Sequence, residues 1–192
     1  MIDLAVKHIA SQLNQFLKQV LPISEDIVVV SNLAGSDGSA GAQVNNKVVL
    51  FITAIERDTV PVRAGDSGSG RMLAAGAPLF LNLYVMVAAN FSDRNYPEAL
   101  KFISAAIGFF QAHPVFDRIS TPDLDPRIER LVLDIENLKP QEASNIWGML
   151  GAKYVPSVLY RVRMVALDGA AILGRQTSIA DPSVAISRPP ER

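Results

Sequence analysis

The segment from Leu79 to Ala89 constrains the fold more than any other part of the sequence. One set of alternate residues is entirely apolar: Leu79, Leu81, Leu83, Val85 and Val87. The other set is mostly apolar: Phe80, Asn82, Tyr84 and Met86. A period of two places the two sets on opposite faces of a β-strand. Because both faces are largely apolar, we expect this strand to lie in a sheet that is covered on both sides.

Other periodic segments supply candidates for the covering layers and the neighbouring strands. Apolar residues at spacings of three and four predict an N-terminal helix that ends before Pro22 and a second helix that ends before Pro114. We expect Asn95 and Glu98 to form a capping box at the start of the second helix, and Leu100 to lie on its buried stripe. Further strands are predicted at 27–30, 47–56, 130–138 and 158–167, and a short helix at 140–150.

The order of these elements predicts an α/β (α+β) fold, a mixed β-sheet flanked by helices. A length of 192 residues suits one domain, which we place at residues 1–168. Gly151 is expected to end the short helix in a left-handed turn. Residues 169–192 are predicted to form an extended C-terminal tail or arm, because 174–192 is rich in proline, serine and arginine and has no helical period.

Charge and cysteine content argue against several classes of protein. Eighteen basic and nineteen acidic residues give a net charge of -1, without a basic cluster, so nucleic acid is not an expected partner. The absence of cysteine excludes disulfides, thiol catalysis and cysteine-ligated zinc. No apolar run is long enough to cross a bilayer, so direct membrane insertion is not expected. The N-terminus lacks the pattern of a secretory signal, which predicts synthesis and folding in the cytoplasm.

The residues that could carry chemistry are better explained by structural roles. His8 lies beside the apolar stripe of the first helix and His113 at the end of the second, and a metal site that used both would need further ligands from distant loops. The glycine-rich run at 65–71 lacks the Lys-Ser/Thr pair of a phosphate loop and the third glycine of a dinucleotide fingerprint. It is therefore predicted to be a flexible loop.

Two pairs of carboxylates are also present. Asp134 and Glu136 share one face of a predicted strand, and Asp123 and Asp125 belong to a proline-containing connector. Such pairs are more often solvated surface than acid–base machinery. We therefore predict no catalytic residue, no cofactor, no metal site and no enzymatic activity.

The run NIWGMLGAKYVPSVLYRVRM, at 145–164, carries a family signature in addition to a secondary-structure pattern. It resembles the signature of the cap-protein N-terminal domain of extracellular contractile injection systems, phage-tail-like particles of the antifeeding-prophage and virulence-cassette type. Further blocks that resemble this family occur in the same order, at 1–5, 46–50, 81–85, 89–91, 98–102, 114–117 and 136–138. The resemblance covers about residues 1–168.

The resemblance implies a tail-terminator-like fold and a structural role as a cap or terminator subunit. It implies a homo-oligomeric ring, with six subunits as the expected number, on the baseplate-distal end of the particle. There the ring would end the inner tube and contact the last sheath layer, so the implied partners are the chain itself, the inner tube protein and the sheath protein. The particle that carries it can be released outside the cell.

Two alternatives stay open at this point. The chain could be another ring or adaptor component of a contractile tail, such as a sheath-end or tube-initiator protein. It could also be a small-molecule-binding α/β domain that uses the glycine-rich loops.

A ring requires one surface of a subunit to meet a different surface of the next copy. The candidate interface residues are large or charged groups near short connectors and in the arm: Trp147, Lys153, Tyr154, Tyr160, Arg161, Arg163, Gly174, Arg175 and Arg188. Trp147 and Tyr154 could instead be core residues that seal the short helix onto the sheet. The arm at 174–192 could add a strand to a neighbour's sheet or could be a disordered tail.

Overall fold

The computed structural model describes residues 1–33, 44–58 and 79–166, which form a six-stranded sheet and three α-helices. In chain order the elements are α1 (Ile2–Val20), β1 (Val28–Val30), β2 (Lys47–Arg57), β3 (Leu79–Asn90), α2 (Tyr96–Ala112), β4 (Val115–Asp117), β5 (Ile128–Ile135), α3 (Pro140–Leu150) and β6 (Ser157–Ala166). The strands are ordered β1-β2-β3-β6-β5-β4. The pairing of β1 with β2 is parallel and the other four pairings are antiparallel, which confirms the predicted mixed sheet.

Strand β3 lies between β2 and β6. From Val85 to Ala89 it is buried on both faces, as its sequence predicts, whereas Leu79 at its start is 40% exposed. On the inner face, Leu83, Val85 and Val87 join the main core with residues of α1 and α2. On the outer face, Met86 and Ala88 join a second cluster that contains Trp147 of α3. The sheet is therefore the middle of three layers, with two helices on one face and one short helix on the other.

Helix α1 is fixed to the sheet by apolar packing and by one polar side chain. Its buried face includes Ile9, Leu13 and Leu17, which recur at helical spacing. Asn14 Oδ1 accepts hydrogen bonds from the backbone N–H groups of Ile27 and Val28, at 2.9 and 3.2 Å. Because these donors lie at the start of the edge strand β1, Asn14 sets the position of β1 relative to the helix.

Helix α2 begins after Asn95, as predicted, but differs from the prediction in the phase of its buried face and in its capping. The buried residues are Ala99, Phe102, Ile103, Ala106, Phe109 and Phe110. Leu100 is 44% exposed, so its predicted place on the stripe is wrong. The predicted capping box is also wrong, because the Asn95 side chain makes no capping hydrogen bond and Glu98 instead pairs with Lys101 at 2.7 Å. A 3-10 turn at Asp93–Asn95 leads into the helix in place of a simple cap.

The C-terminal half contains one strand that the sequence pattern does not reveal. Strand β4 has only three residues and pairs with β5, with Phe116 opposite Leu131. A three-residue segment is too short to show a period of two.

The end of α3 follows the prediction, since Gly151 adopts φ 60° in a left-handed turn.

Tyr160 and His8 are buried side chains that carry polar groups beside the aromatic residues of the main core. Tyr160 is 2% exposed and packs edge-on against Phe110, with ring centroids 4.9 Å apart. Its hydroxyl has no hydrogen-bond partner within the described ranges, and burial raises the pKa of Tyr160 to about 12. His8 packs edge-on against Phe116, and its Nδ1 lies 3.8 Å from Asp123 Oδ2.

Replacing Tyr160 with phenylalanine should increase the free energy of unfolding by about 1 kcal/mol. The substitution removes a buried hydroxyl that lacks a partner and keeps the ring that contacts Phe110. Urea denaturation of Tyr160→Phe measures the change. The matched control is Tyr84→Phe, which deletes a hydroxyl that donates to Glu56 at 3.1 Å and should not stabilise the chain. A clear loss of stability in Tyr160→Phe would show that the Tyr160 hydroxyl has a stabilising hydrogen bond, against our interpretation.

Folding stability should decrease as the pH falls below the ordinary histidine value of 6.5, because burial lowers the pKa of His8. Asp123 opposes this shift but does not cancel it. The unfolded chain therefore binds more protons than the folded chain in this range, which favours unfolding. Urea denaturation at about pH 7.5 and about pH 5.5 measures the free energy of unfolding. We expect it to fall less in His8→Gln than in the wild type. His113→Gln is the control and should show the wild-type decrease, because it keeps His8.

Candidate interface surface

The outer face of the sheet is divided into an apolar part under α3 and a polar part. The strand register brings Tyr84 of β3, Arg161 of β6 and Asp134 of β5 side by side across the sheet. The Tyr84 hydroxyl donates a hydrogen bond to Glu56 Oε2 at 3.1 Å, and Arg161 Nη1 lies 3.8 Å from Glu136 Oε2. We call Glu56, Tyr84, Asp134, Glu136 and Arg161 the polar row. Burial raises the pKa of Tyr84, and its hydrogen bond to Glu56 adds to this shift.

The polar row has hydrogen-bonding capacity that the described part of the chain does not use. Arg161 Nε and Asn82 Oδ1 are buried and have no hydrogen-bond partner among the described residues. Arg163 lies beside Asn82 in the register and is exposed. The ion pair of Arg161 with Glu136 is long and partly exposed, so it contributes little to stability. The partly exposed Arg161 and the exposed Arg163 therefore have guanidinium groups that the fold itself uses little.

Trp147 and Tyr154 are neighbours that occupy different environments. Their rings meet edge-on with centroids 5.5 Å apart. Trp147 is 6% exposed and belongs to the apolar cluster with Met86 and Leu159, so it seals α3 onto the sheet. Tyr154 is 67% exposed. The tryptophan thus has a core position, and the tyrosine extends from it to the surface.

One exposed apolar side chain beside Tyr154 was missed by the sequence analysis. Met149, in the last turn of α3, is 79% exposed. Lys153 is also exposed and lies between them in the chain. Met149 could have been noticed because it is two residues from Trp147 on the same helix and therefore cannot share its buried face. We call Met149, Lys153 and Tyr154 the connector patch.

Of the remaining predicted interface residues, only Tyr160 is among the described residues, and it does not lie on this surface. Tyr160 points into the main core and is covered by Phe110. Gly174, Arg175 and Arg188 lie outside the described residues, as do the glycine-rich run at 65–71 and the whole arm at 174–192.

The described residues contain no arrangement typical of catalysis or metal binding. No three histidine or carboxylate side chains among them lie close enough to hold a metal ion. Asp125 binds the Arg127 guanidinium at 2.9 and 3.1 Å, which lowers the pKa of Asp125 to about 2. His113 follows the end of α2, where its Nδ1 lies 3.2 Å from the carbonyl oxygen of Phe109. Within the described ranges, no helix is long and apolar enough to cross a membrane.

Substitution by alanine should separate the roles of the two neighbouring aromatic residues. Trp147→Ala should reduce the free energy of unfolding by about 3–5 kcal/mol, because it leaves a cavity between α3 and the sheet. Tyr154→Ala should change stability by less than about 1 kcal/mol, because most of the ring is already in water. Thermal and urea denaturation measure both. Equal losses for the two variants would contradict this division between core and surface.

Comparisons with known proteins agree with this architecture. Residues 5–180 match the family model described as the Pvc16 N-terminal domain. No curated protein sequence matches the chain.

One solved structure is similar in fold, and a second is a weaker match. The first is the PVC sheath/tube terminator of an extracellular contractile injection system in the extended state. Its TM-score is 0.56 and its sequence is 17% identical, and the match covers 100% of this chain and 64% of that chain. The other is the anti-feeding prophage cap, an AFP tube-terminating cap, with a TM-score of 0.47 and 14% identity over 93% of this chain and 60% of that one. The chain therefore spans less than two thirds of the length of either structure. Since the family model matches most of the sequence, the chain belongs to the Pvc16 N-terminal domain family.

Proposed function

We propose that this chain is a structural subunit that caps the baseplate-distal end of a phage-tail-like contractile injection particle and ends its inner tube. The observation that carries the proposal is the likeness of its fold, over the whole chain, to the sheath/tube terminator. Membership of the Pvc16 N-terminal domain family supports it independently. The subunit acts through surface contacts and not through catalysis.

The proposed cap is a homo-oligomeric ring, with six subunits as the expected number. A closed ring needs a heterologous interface, in which two different patches of the subunit meet. The connector patch and the polar row supply two such surfaces on the outer side of the sheet. The connector patch offers exposed apolar area at Met149 and Tyr154, and the polar row offers Arg161 together with the neighbouring Arg163.

The proposed partners of the ring are the inner tube protein and the last layer of the sheath. A guanidinium group can bind carboxylates or backbone carbonyls of such partners with two hydrogen bonds. Bonds of this kind would use the exposed part of the Arg161 guanidinium and the exposed Arg163. In this proposal the subunit folds in the cytoplasm and leaves the cell only as part of the released particle.

Particles assembled without this protein should have tubes or sheaths of uncontrolled length, or open distal ends, while their baseplates remain intact. The reason is that nothing else would stop addition of tube subunits at that end. Negative-stain imaging of particles from cells with and without the gene measures tube length and end structure. Normal length with a missing baseplate would instead identify a tube-initiator role. Normal particles, together with a substrate turned over by the purified protein, would overturn the proposal.

Tyr154→Ala should fold normally and fail to restore capped particles in cells that lack the wild-type protein. The substitution removes exposed aromatic area from the connector patch without disturbing the core. Tyr96→Ala is the matched control, since Tyr96 is 51% exposed but lies at the start of α2 on the other side of the sheet. Imaging of complemented cells compares the two variants. Full restoration by Tyr154→Ala would remove the connector patch from the proposed interface.

A further inference from the structure

A groove lies between α3 and the connector that follows it. Its cavity measures about 680 Å³, and its walls include the Trp147 and Tyr154 rings, Gly148 and the small residues Ala143 and Ala152. None of the described residues that line it is charged. A concave apolar surface of this size can hold an apolar side chain of another molecule. We call this cavity the α3 groove.

The turn after β4 presents an apolar side chain that its own chain does not cover. Ile119 is 93% exposed, more than any other large apolar residue that the structure describes. Asp117 Oδ1 accepts hydrogen bonds from the backbone N–H groups of Ile119 and Ser120, at 3.0 and 2.8 Å. The Thr121 hydroxyl donates to the carbonyl oxygen of Asp117 at 2.8 Å. Because these bonds hold residues 117–121, which we call the Ile119 turn, little entropy is lost when a partner buries Ile119.

One subunit does not join its own Ile119 turn to its own α3 groove. Asp117 lies opposite Arg130 near the start of β5, whereas α3 follows the other end of this strand. The eight residues of β5 span about 26 Å. The turn and the groove are therefore separate surfaces, and two copies of the chain can bring them together.

The Ile119 turn has a basic side chain beside it. Arg130 is exposed and lines the same surface cavity as Ile119. Its charge acts on Asp117, but its guanidinium group makes no close ion pair among the described residues. Arg130 also shares a face of β5 with Asp134, so the turn continues the polar row.

The α3 groove has an acidic side chain at one end. A smaller cavity of about 240 Å³ shares Trp147 and Tyr154 with the groove, and Glu136 is its one charged residue among the described residues that line it. Glu136 pairs only with Arg161 in the described ranges, and this ion pair is long at 3.8 Å. The carboxylate can therefore accept a second cation. The charges beside the turn and the groove are complementary in this sense.

We propose that the Ile119 turn of one copy binds in the α3 groove of the next copy. In this contact Ile119 packs against the Trp147 and Tyr154 rings, and Arg130 pairs with Glu136. Since the turn and the groove are different surfaces, each copy binds one neighbour on each side, as a closed ring requires. The inference rests on the ring of the proposed function and identifies two surfaces that meet in it.

The absence of cysteine allows a direct test, because every thiol cross-link then comes from introduced residues. We expect Ile119→Cys/Gly148→Cys, treated with a short bis-maleimide reagent, to give a ladder of cross-linked copies on denaturing gels. Both positions are exposed, and a Cβ atom added at Gly148 would contact nothing within 4 Å. The control is Ile119→Cys/Gly108→Cys, which should give no ladder. Gly108 is an exposed helical glycine with equally open surroundings, but it lies on α2.

Mixtures of the single variants test the head-to-tail geometry. Ile119→Cys mixed with Gly148→Cys should give a cross-linked dimer and no larger species, and neither variant alone should give a dimer. A dimer from Ile119→Cys alone would show a symmetric contact and would overturn the proposal. A cross-link from Gly148→Cys to a tube or sheath protein in assembled particles, in place of a second copy, would overturn it in favour of that partner.

Substitutions that block the contact should weaken self-association of the purified full chain. Gly148→Leu fills the groove and Ile119→Asp removes the apolar side chain, so each should weaken association at least about tenfold in sedimentation velocity. Gly108→Leu and Ile119→Leu are the matched controls and should associate like the wild type. Wild-type association in both blocking variants would contradict the proposal. So would a double-cysteine variant that gives no ladder either in solution or in assembled particles.

Failure of this contact and failure of the proposed cap function give different results. A cross-linked ladder, together with normal tube ends in cells that lack the protein, would support the contact and remove the cap function. Tubes of uncontrolled length in those cells, together with no ladder, would support the cap function and remove the contact.

Discussion

The burial of β3 on both faces is the constraint on which the rest of the structure depends. Its alternate residues include Leu83, Val85 and Val87 on one side and Met86 and Ala88 on the other. Water must be excluded from both sets, so the sheet needs a layer on each face. Helices α1 and α2 form the layer on the inner face. On the outer face α3 has only eleven residues, which cover one part of the sheet and leave the polar row uncovered by any described helix.

This unequal coverage links the fold to the proposed function. Helices packed against one face hold the sheet in place, and the other face can then present side chains at fixed spacing for assembly. The polar row and the connector patch have this arrangement, since Tyr84 and Arg161 lie on neighbouring strands of the sheet and Tyr154 is held against Trp147. Ring subunits benefit from such preorganised surfaces, because little conformational entropy is lost at each contact.

Aromatic residues illustrate how far the sequence could distinguish core from surface. Trp147, Tyr154 and Tyr160 are all candidates for an interface on residue type alone, yet the structure gives them three environments. Trp147 seals α3 onto the sheet, Tyr154 extends into water, and Tyr160 faces the main core against Phe110. Tyr160 could have been placed by strand alternation, because it shares its side of β6 with Val162 and Met164. Trp147 and Tyr154 could not, because their positions depend on how the connector after Gly151 turns back to the sheet.

The sequence by itself determined the elements whose signal is local. The long helix α1, the two-sided strand β3, and the end of α3 at Gly151 follow from periodicity and turn chemistry, and all three match the structure. Tertiary structure alone decided what depends on distant partners. Strand β4 exists because Phe116 pairs opposite Leu131, and the phase of α2, which exposes Leu100, follows from its docking on the inner face. Tertiary structure also decided the polar row. Strand register is set by the packing of whole faces, and no short segment contains that information.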